Sequence, residues 1–209
     1  MKLNPASFNR FLSGIGQRLV WRKSYACPCI TAHSGASDPG CQFCAGKGRT
    51  WRAGMSGYAG VSSMSAQRKF SDAGIYEDGD LLLTIPSNTP LYEMGQYDLI
   101  LMLDGSQPFS SVLERGASDE LSFPPVAIDR IFWRVNGVEF SSAATAVDAD
   151  NKIVWGANAQ PPAGVQYSVT GRWIPDYFVF QDLPIVRPHH SGARLPRKVV
   201  VRRFDLFGR

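Results

Sequence analysis

Asp-Arg-Ile-Phe-Trp-Arg-Val-Asn-Gly-Val-Glu-Phe, residues 129–140, is the stretch whose reading decides the fold class. Asn136-Gly137 supplies the two positive φ angles of a type I′ turn, which joins antiparallel strands through two residues. That loop length fixes the register: Val135 faces Val138, Arg134 faces Glu139, and Trp133 faces Phe140. Apolar pairs then lie on one face and the charged pair on the other, so turn chemistry and side-chain pattern agree.

The same texture continues in both directions. Val147–Trp155 reads as a second hairpin around Asp150-Asn151. Val165, Tyr167, Val169, Gly171 and Trp173 alternate with Gln166, Ser168, Thr170 and Arg172, the pattern of a half-buried strand. Lys198–Phe204 supplies a final strand. Upstream, Gly79–Pro86 and Tyr97–Leu103 are short apolar runs bounded by Gly, Pro and Asp. The chain of 209 residues carries 20 Gly and 14 Pro, which favours many turns and short strands. The expected fold is mainly β, a small barrel or sandwich over residues 55–209, with an N-terminal helical arm (1–24) and a loop module (25–54) placed ahead of it.

Residues 4–23 are expected as an amphipathic helix. Asn4 can cap it and Pro5 suits the first helical position. Phe8, Phe11, Leu12, Ile15 and Leu19 fall at helical spacing on one face, which runs on into Val20 and Trp21. Gly14 and Gly16 each weaken such a helix by about 1 kcal/mol relative to Ala. Its apolar face has two readings: packing on its own β domain, or reaching a neighbouring subunit.

All four cysteines lie in the loop module: Cys27-Pro-Cys29, then Cys41-Gln-Phe-Cys44-Ala-Gly46-Lys-Gly48. Two close pairs on separate turns can place four thiolates around a structural Zn²⁺. The glycines of the second pair let the backbone fold back and aim N–H groups at the sulfurs. The loop between the pairs is made of turn residues (Ser34, Gly35, Ser37, Asp38, Pro39, Gly40). Two disulfides in a matured extracellular particle and a C-x-x-C redox pair are the competing readings. His33, inside the loop, is a substitute ligand or a plain loop residue. Four thiolates close the coordination sphere, so the expected zinc is scaffolding rather than catalytic.

Charge is segregated along the chain. Residues 1–52 hold eight Lys/Arg and one Asp (+7), residues 187–209 seven and one (+6), and residues 53–186 seven against sixteen acids (−9). Basic ends on an acidic body suit docking on acidic surfaces of neighbours, or a nucleic-acid backbone; chance clustering on a solvated surface is the plain alternative. Arg202 and Arg203 in the last strand, with the segment around them, are expected to meet acidic surface of a neighbour such as Glu77, Asp78 and Asp80. Lys47, Arg49, Trp51 and Arg52 are candidate nucleic-acid contacts, with cations and a ring placed together. No nucleophile–base motif appears, and Gly40 to Gly46-Lys47-Gly48 fails as a phosphate loop for want of correct spacing and a following Ser/Thr. His189-His190 reads as a solvated loop. No catalytic residue, small-molecule substrate or membrane span is expected, nor a secretory signal.

The layout resembles neck or head-to-tail connector (collar) proteins of tailed bacteriophages. The likeness is carried by the N-terminal helix leading into Cys27-Pro-Cys29 and Cys41-x-x-Cys44-x-Gly46-x-Gly48. It continues in Ile153-Val-Trp155, Pro161-Pro-Ala-Gly164-Val-Gln-Tyr167-Ser-Val169, Pro175-x-Tyr177-x-Val179, Leu183-Pro184, Arg187 and Leu195-Pro196. It implies a virion protein made in the host cytoplasm that forms or decorates a ring at the head-to-tail junction. The partners implied are other copies of itself, the portal, connector and tail proteins, and DNA passing through a lumen. A zinc-knuckle nucleic-acid-binding protein is the alternative, and a tail or baseplate component the second.

Overall fold

The computed structural model describes residues 4–62, 79–142, 147–156, 160–183, 189–190 and 192–207. The elements are α1 (Pro5–Ile15), then β1 (Gln17–Arg22), β2 (Ser24–Ala26), β3 (Arg49–Trp51), β4 (Met55–Val61), β5 (Leu81–Ile85) and β6 (Leu99–Met102). They continue with β7 (Gln107–Glu114), β8 (Pro125–Val135), β9 (Val138–Ser142), β10 (Gln166–Trp173), β11 (Asp176–Asp182), β12 (His189–His190), β13 (Ala193–Arg194) and β14 (Arg197–Arg203). The protein is mainly β, with one N-terminal α-helix and a closed six-stranded barrel. Among the described residues no helix is long and apolar enough to cross a membrane.

The stretch 55–209, expected as one β domain, divides into parts of two compact units. One unit is Met1–Asp104 with Asp176–Arg209, and the other is Gly105–Pro175. The expected division differs because strands distant in sequence, β1, β4–β6, β11 and β14, close one barrel, and residues 105–175, which intervene in the sequence, form the other unit. Strand order in the first unit is β1-β4-β5-β14-β11-β6 and back to β1, every pair antiparallel. Six strands leave an interior that side chains fill. Leu19, Trp21, Ala59, Leu83, Ile85, Ile100, Met102, Tyr177, Val179, Val199 and Val201 occupy it, joined by Leu91 and Met94 from the β5–β6 connection. The barrel is solid.

The helix expected over residues 4–23 stops at Ile15, and its second half is barrel strand β1. Asn4 caps it as expected, its side chain accepting from Ala6 and Ser7 N–H. Gly16 ends it in extended conformation, its N–H donating to Leu12 O at 2.7 Å. A Cβ there would stand 2.4 Å from Leu12 O and 3.1 Å from Ala59 O, so the chain leaves the helix where only glycine fits. Beyond it, Leu19 and Trp21 are buried while Arg18 and Arg22 face solvent, a period of two that overrides the helical spacing. The continuous apolar helix face is therefore corrected: Leu19, Val20 and Trp21 belong to a strand paired on both edges.

What α1 docks with is its Asn9–Leu12 side. Asn9 Nδ2 donates to Ser87 Oγ at 2.9 Å, and Ser87 N–H donates to Asn9 Oδ1 at 3.3 Å. Leu12 is buried against the backbone of Gly60 in β4. Asn9→Ala is expected to cost about 1–2 kcal/mol, because a nearly buried partner of Ser87 loses both bonds. Urea unfolding checks the cost, and faster amide exchange in residues 8–12 would place it in the helix.

The second unit is the sheet β7-β10-β8-β9. The expected hairpin forms in the expected register, with Trp133, Arg134 and Val135 opposite Phe140, Glu139 and Val138. Asn136 and Gly137 take φ of 50° and 80°. Trp133 and Phe140 stack, while Arg130 and Arg134 on the other face both bond Glu139. Tyr167, Val169 and Gly171 of β10 are buried as their alternation requires. At residues 147–153 the second hairpin reduces to one bridge, Val147 with Ile153, around Asn151 at φ 61°. The residues His189-His190 pair with Ala193 and Arg194 in a two-residue ladder instead of lying in an open loop.

Candidate metal centre

β2 and β3 form the stem of the cysteine module, Ser24 opposite Trp51 and Ala26 opposite Arg49. Cys27 N–H extends that ladder to Gly48 O at 2.9 Å, so the first ligand leaves the stem where the second knuckle returns to it. Between them the loop is tied by its own turn residues. Thr31 N–H donates to Ala36 O at 2.9 Å, Ser37 Oγ donates to Gly46 O at 2.6 Å, and Gly40 N–H donates to Asp38 Oδ1 at 2.9 Å. Ala45 and Gly46 both sit at positive φ, 48° and 76°. At Gly46 a side chain would also press on Pro39 O at 3.2 Å. The glycines of the second knuckle are thus demanded by the fold-back they were expected to permit.

The result gathers Cys27, Cys29, Cys41 and Cys44, whose sulfurs all lie within 4.8 Å of one another. Cys27 and Cys41 are 3.8 Å apart, Cys29 and Cys44 3.5 Å, and all four thiols are free. A tetrahedron built on ~2.3 Å metal–sulfur bonds has edges of about 3.8 Å, so the four residues fit a tetrahedral metal. Backbone N–H groups address each sulfur: Cys29 to Cys27, Asp38 to Cys29, Cys44 and Phe43 to Cys41, and Gly48 to Cys44 at 3.3 Å. Those of Cys44 and Phe43 draw the Cys41 thiol down to about 7. Cys29 receives a lowering bond from Asp38, yet burial and the three neighbouring thiols push it up to about 12. Cys27 is likewise raised: the Cys29 N–H lowers it, but burial and the thiols of Cys41 and Cys44 outweigh that. The Cys41 thiol is thus eased toward ionisation while those of Cys27 and Cys29 are held back from it. His33 is exposed and outside the group.

The residues expected at nucleic acid lie against aromatic rings of their own unit. Trp51 Nε1 donates to Tyr97 O at 3.0 Å, and its ring meets Phe204 and Phe207 edge-on. Arg49 lies 3.9 Å over the Tyr97 ring, Lys47 4.8 Å over Phe204, and Arg52 4.5 Å over Tyr25. Phe207 also packs on Phe178, which ties the C-terminal residues to β11. Beneath this lies Asp98, buried, accepting from Trp21 Nε1, Lys23 Nζ and the N–H groups of Ser24 and Gly95. Sequence reading passed over Asp98 and Phe207, and took Phe204 only as the end of the last strand, which stops at Arg203. The one available signal was a Phe-x-x-Phe pair following the last strand, an amount of apolar surface a free basic tail does not need.

Of the residues expected at a partner, Leu12 and Leu19 are buried in their own unit, Phe8 is partly exposed, and Phe11 and Ile15 point outward. Asp80 does meet an arginine, but that of its own chain: Arg202 Nη2 donates to Asp80 Oδ2 at 2.9 Å. The β5–β14 register runs Leu81 opposite Val201, and Asp80 with Arg202 continues it. Arg203 pairs with Asp205. Glu77 and Asp78 lie outside the described residues. No protein-family model matches the chain, and no curated protein matches it.

Proposed function

We propose that this chain is a structural subunit of a tailed-phage virion, forming or decorating the ring at the head-to-tail junction, with zinc held by Cys27, Cys29, Cys41 and Cys44. The observation that carries the reading is α1. One side is fixed to its own barrel through Asn9 and Leu12, while Phe11 and Ile15 remain 58% and 61% exposed on the other. A helix anchored in this way offers apolar surface to a neighbour without paying much ordering entropy on contact. The metal supplies no reaction here; four thiolates around it would hold the loop in shape. Because the barrel is filled, a lumen for DNA would be enclosed between subunits rather than within one. The nucleic-acid alternative draws less support, because Trp51, the ring it needs for stacking, is packed on Phe204 and Phe207.

Electron microscopy of the purified chain is expected to show closed rings. Phe11→Asp with Ile15→Asp should abolish them while the β circular-dichroism signal persists, since both side chains already face solvent. Particles that remain monomeric at all concentrations, or a double variant that still closes rings, would remove this reading.

A further inference from the structure

The sulfur contacts at 3.8 Å and 3.5 Å, Cys27 with Cys41 and Cys29 with Cys44, both cross from the first knuckle to the second. Each joins a half-exposed sulfur, Cys41 or Cys29, to a buried one, Cys27 or Cys44. Four cysteines allow three connectivities. Pairing within the knuckles needs a bond from Cys27 to Cys29 across Pro28 alone, a strained span whose one intervening residue has its φ fixed. Pairing Cys27 with Cys44 joins the two buried sulfurs, so that bond starts from no sulfur an oxidant reaches. The crossed connectivity uses the two contacts above, and a disulfide at ~2.0 Å asks each pair to close by less than ~2 Å.

We propose that the cluster exchanges its metal for two crossed disulfides, Cys27–Cys41 and Cys29–Cys44, under a peroxide oxidant, and that the module keeps its fold in both states. The exchange rests on the zinc reading. The half-exposed thiolate of Cys41 attacks one peroxide oxygen, the O–O bond breaks, hydroxide leaves and a sulfenic acid forms. The Cys27 thiolate then attacks that sulfur, the S–O bond breaks, and a second hydroxide leaves as the disulfide forms. Cys29 and Cys44 repeat the sequence with a second peroxide. Per cluster, four thiolates lose four electrons, two peroxides become four hydroxides, and Zn²⁺ is released without its ligands. Each link closes a loop between residues 14 or 15 positions apart, and together they restrict the unfolded segment in the metal's place. A chain in reducing surroundings then holds this module with metal, and the same chain in oxidising surroundings holds it with covalent bonds.

The test titrates the reduced, zinc-loaded full chain with hydrogen peroxide while a colorimetric chelator reports released metal. About two equivalents are expected to release the zinc and leave a chain four hydrogens lighter than the reduced metal-free form. Chymotryptic cleavage after Phe43 separates Cys41 from Cys44, and fragmentation ahead of Pro28 separates Cys27 from Cys29, so mass spectrometry reads the linkages directly. Amide protection of Thr31, Gly35 and Cys41 should persist in the oxidised chain at its zinc-loaded level, whereas chelation of the reduced chain should abolish it. Any other connectivity or oxidation product, links between chains, or loss of that protection on oxidation overturns the exchange and leaves the zinc site standing. Zinc retained with four free thiols after excess peroxide does the same. A reduced chain that binds no metal overturns both.

Discussion

Stripping the four-cysteine centre of metal is expected to unfold residues 27–48 and leave the barrel standing. A structural zinc contributes on the order of 10 kcal/mol to the segment that holds it. Nothing else in that segment approaches such a sum. Its fully buried apolar members are Cys27 and Cys44, the ligands themselves, and Ala45 must be held at a φ of 48° that costs a non-glycine residue energy. The barrel has an independent core, so Leu83, Val199 and Val201 should keep their amide protection when Thr31, Gly35 and Cys41 lose theirs. Between the two, Trp51 should report partial loosening, because it rests on the stem below the cluster and on Phe204 and Phe207 above it. Elemental analysis of protein from zinc-replete cells should give one zinc per chain, and Cys41→Ser should reproduce the chelated state. The pH sense follows from the ligands: metal binds thiolates, so the bound state lowers their pKa values and the stabilisation is lost as pH falls. Module amides that stay protected under chelator, or a reduced protein that carries no metal, would refute the assignment.

How far sequence alone reached depended on whether the determining interaction was local. The Asn136-Gly137 hairpin was legible to the residue because turn chemistry and side-chain alternation are both encoded within twelve positions. The cysteine module was legible for the same reason, its ligands, glycines and turn residues all lying within twenty-two. The helix end was not. Residues 15–22 satisfy a period of 3.6 through Ile15 and Leu19 and a period of 2 through Leu19 and Trp21; only pairing with β4 and β6, more than thirty residues away, selects the second. The barrel's closure was hidden likewise, since β14 lies between β5 and β11 and no local signal announces either partner. The arginines misled because charge counts carry no register: Arg202 looked available until the β5–β14 ladder placed it beside Asp80.

That pair makes the other large effect. Arg202→Met is expected to destabilise the barrel by about 3–5 kcal/mol, since it removes the guanidinium that donates to the fully buried Asp80 carboxylate. Three hydrogen bonds join the two, and the guanidinium also lies 3.8 Å over the Phe180 ring. At ~1–3 kcal/mol per molar in urea, such a loss moves the unfolding midpoint by more than 1 M. Arg203→Ala is the natural control: its partner Asp205 is about half exposed, and such a pair contributes only ~0–1 kcal/mol. Replacing both buried partners, Asp80→Leu with Arg202→Met, should recover much of the loss, because removing both charges removes the desolvation penalty of each. Salt separates this account from one in which Arg202 serves a neighbouring subunit. A buried pair is screened little, so the deficit of Arg202→Met should be the same in dilute buffer and at roughly 0.5 M salt, where exposed charges interact over only a few Å. A deficit that vanishes at high salt, or one confined to self-association with the monomer's midpoint unmoved, would return Arg202 to the subunit boundary. A truncation beginning at residue 202 cannot serve the purpose, because it removes Arg202, Phe204 and Phe207 together and would weaken assembly through the fold alone.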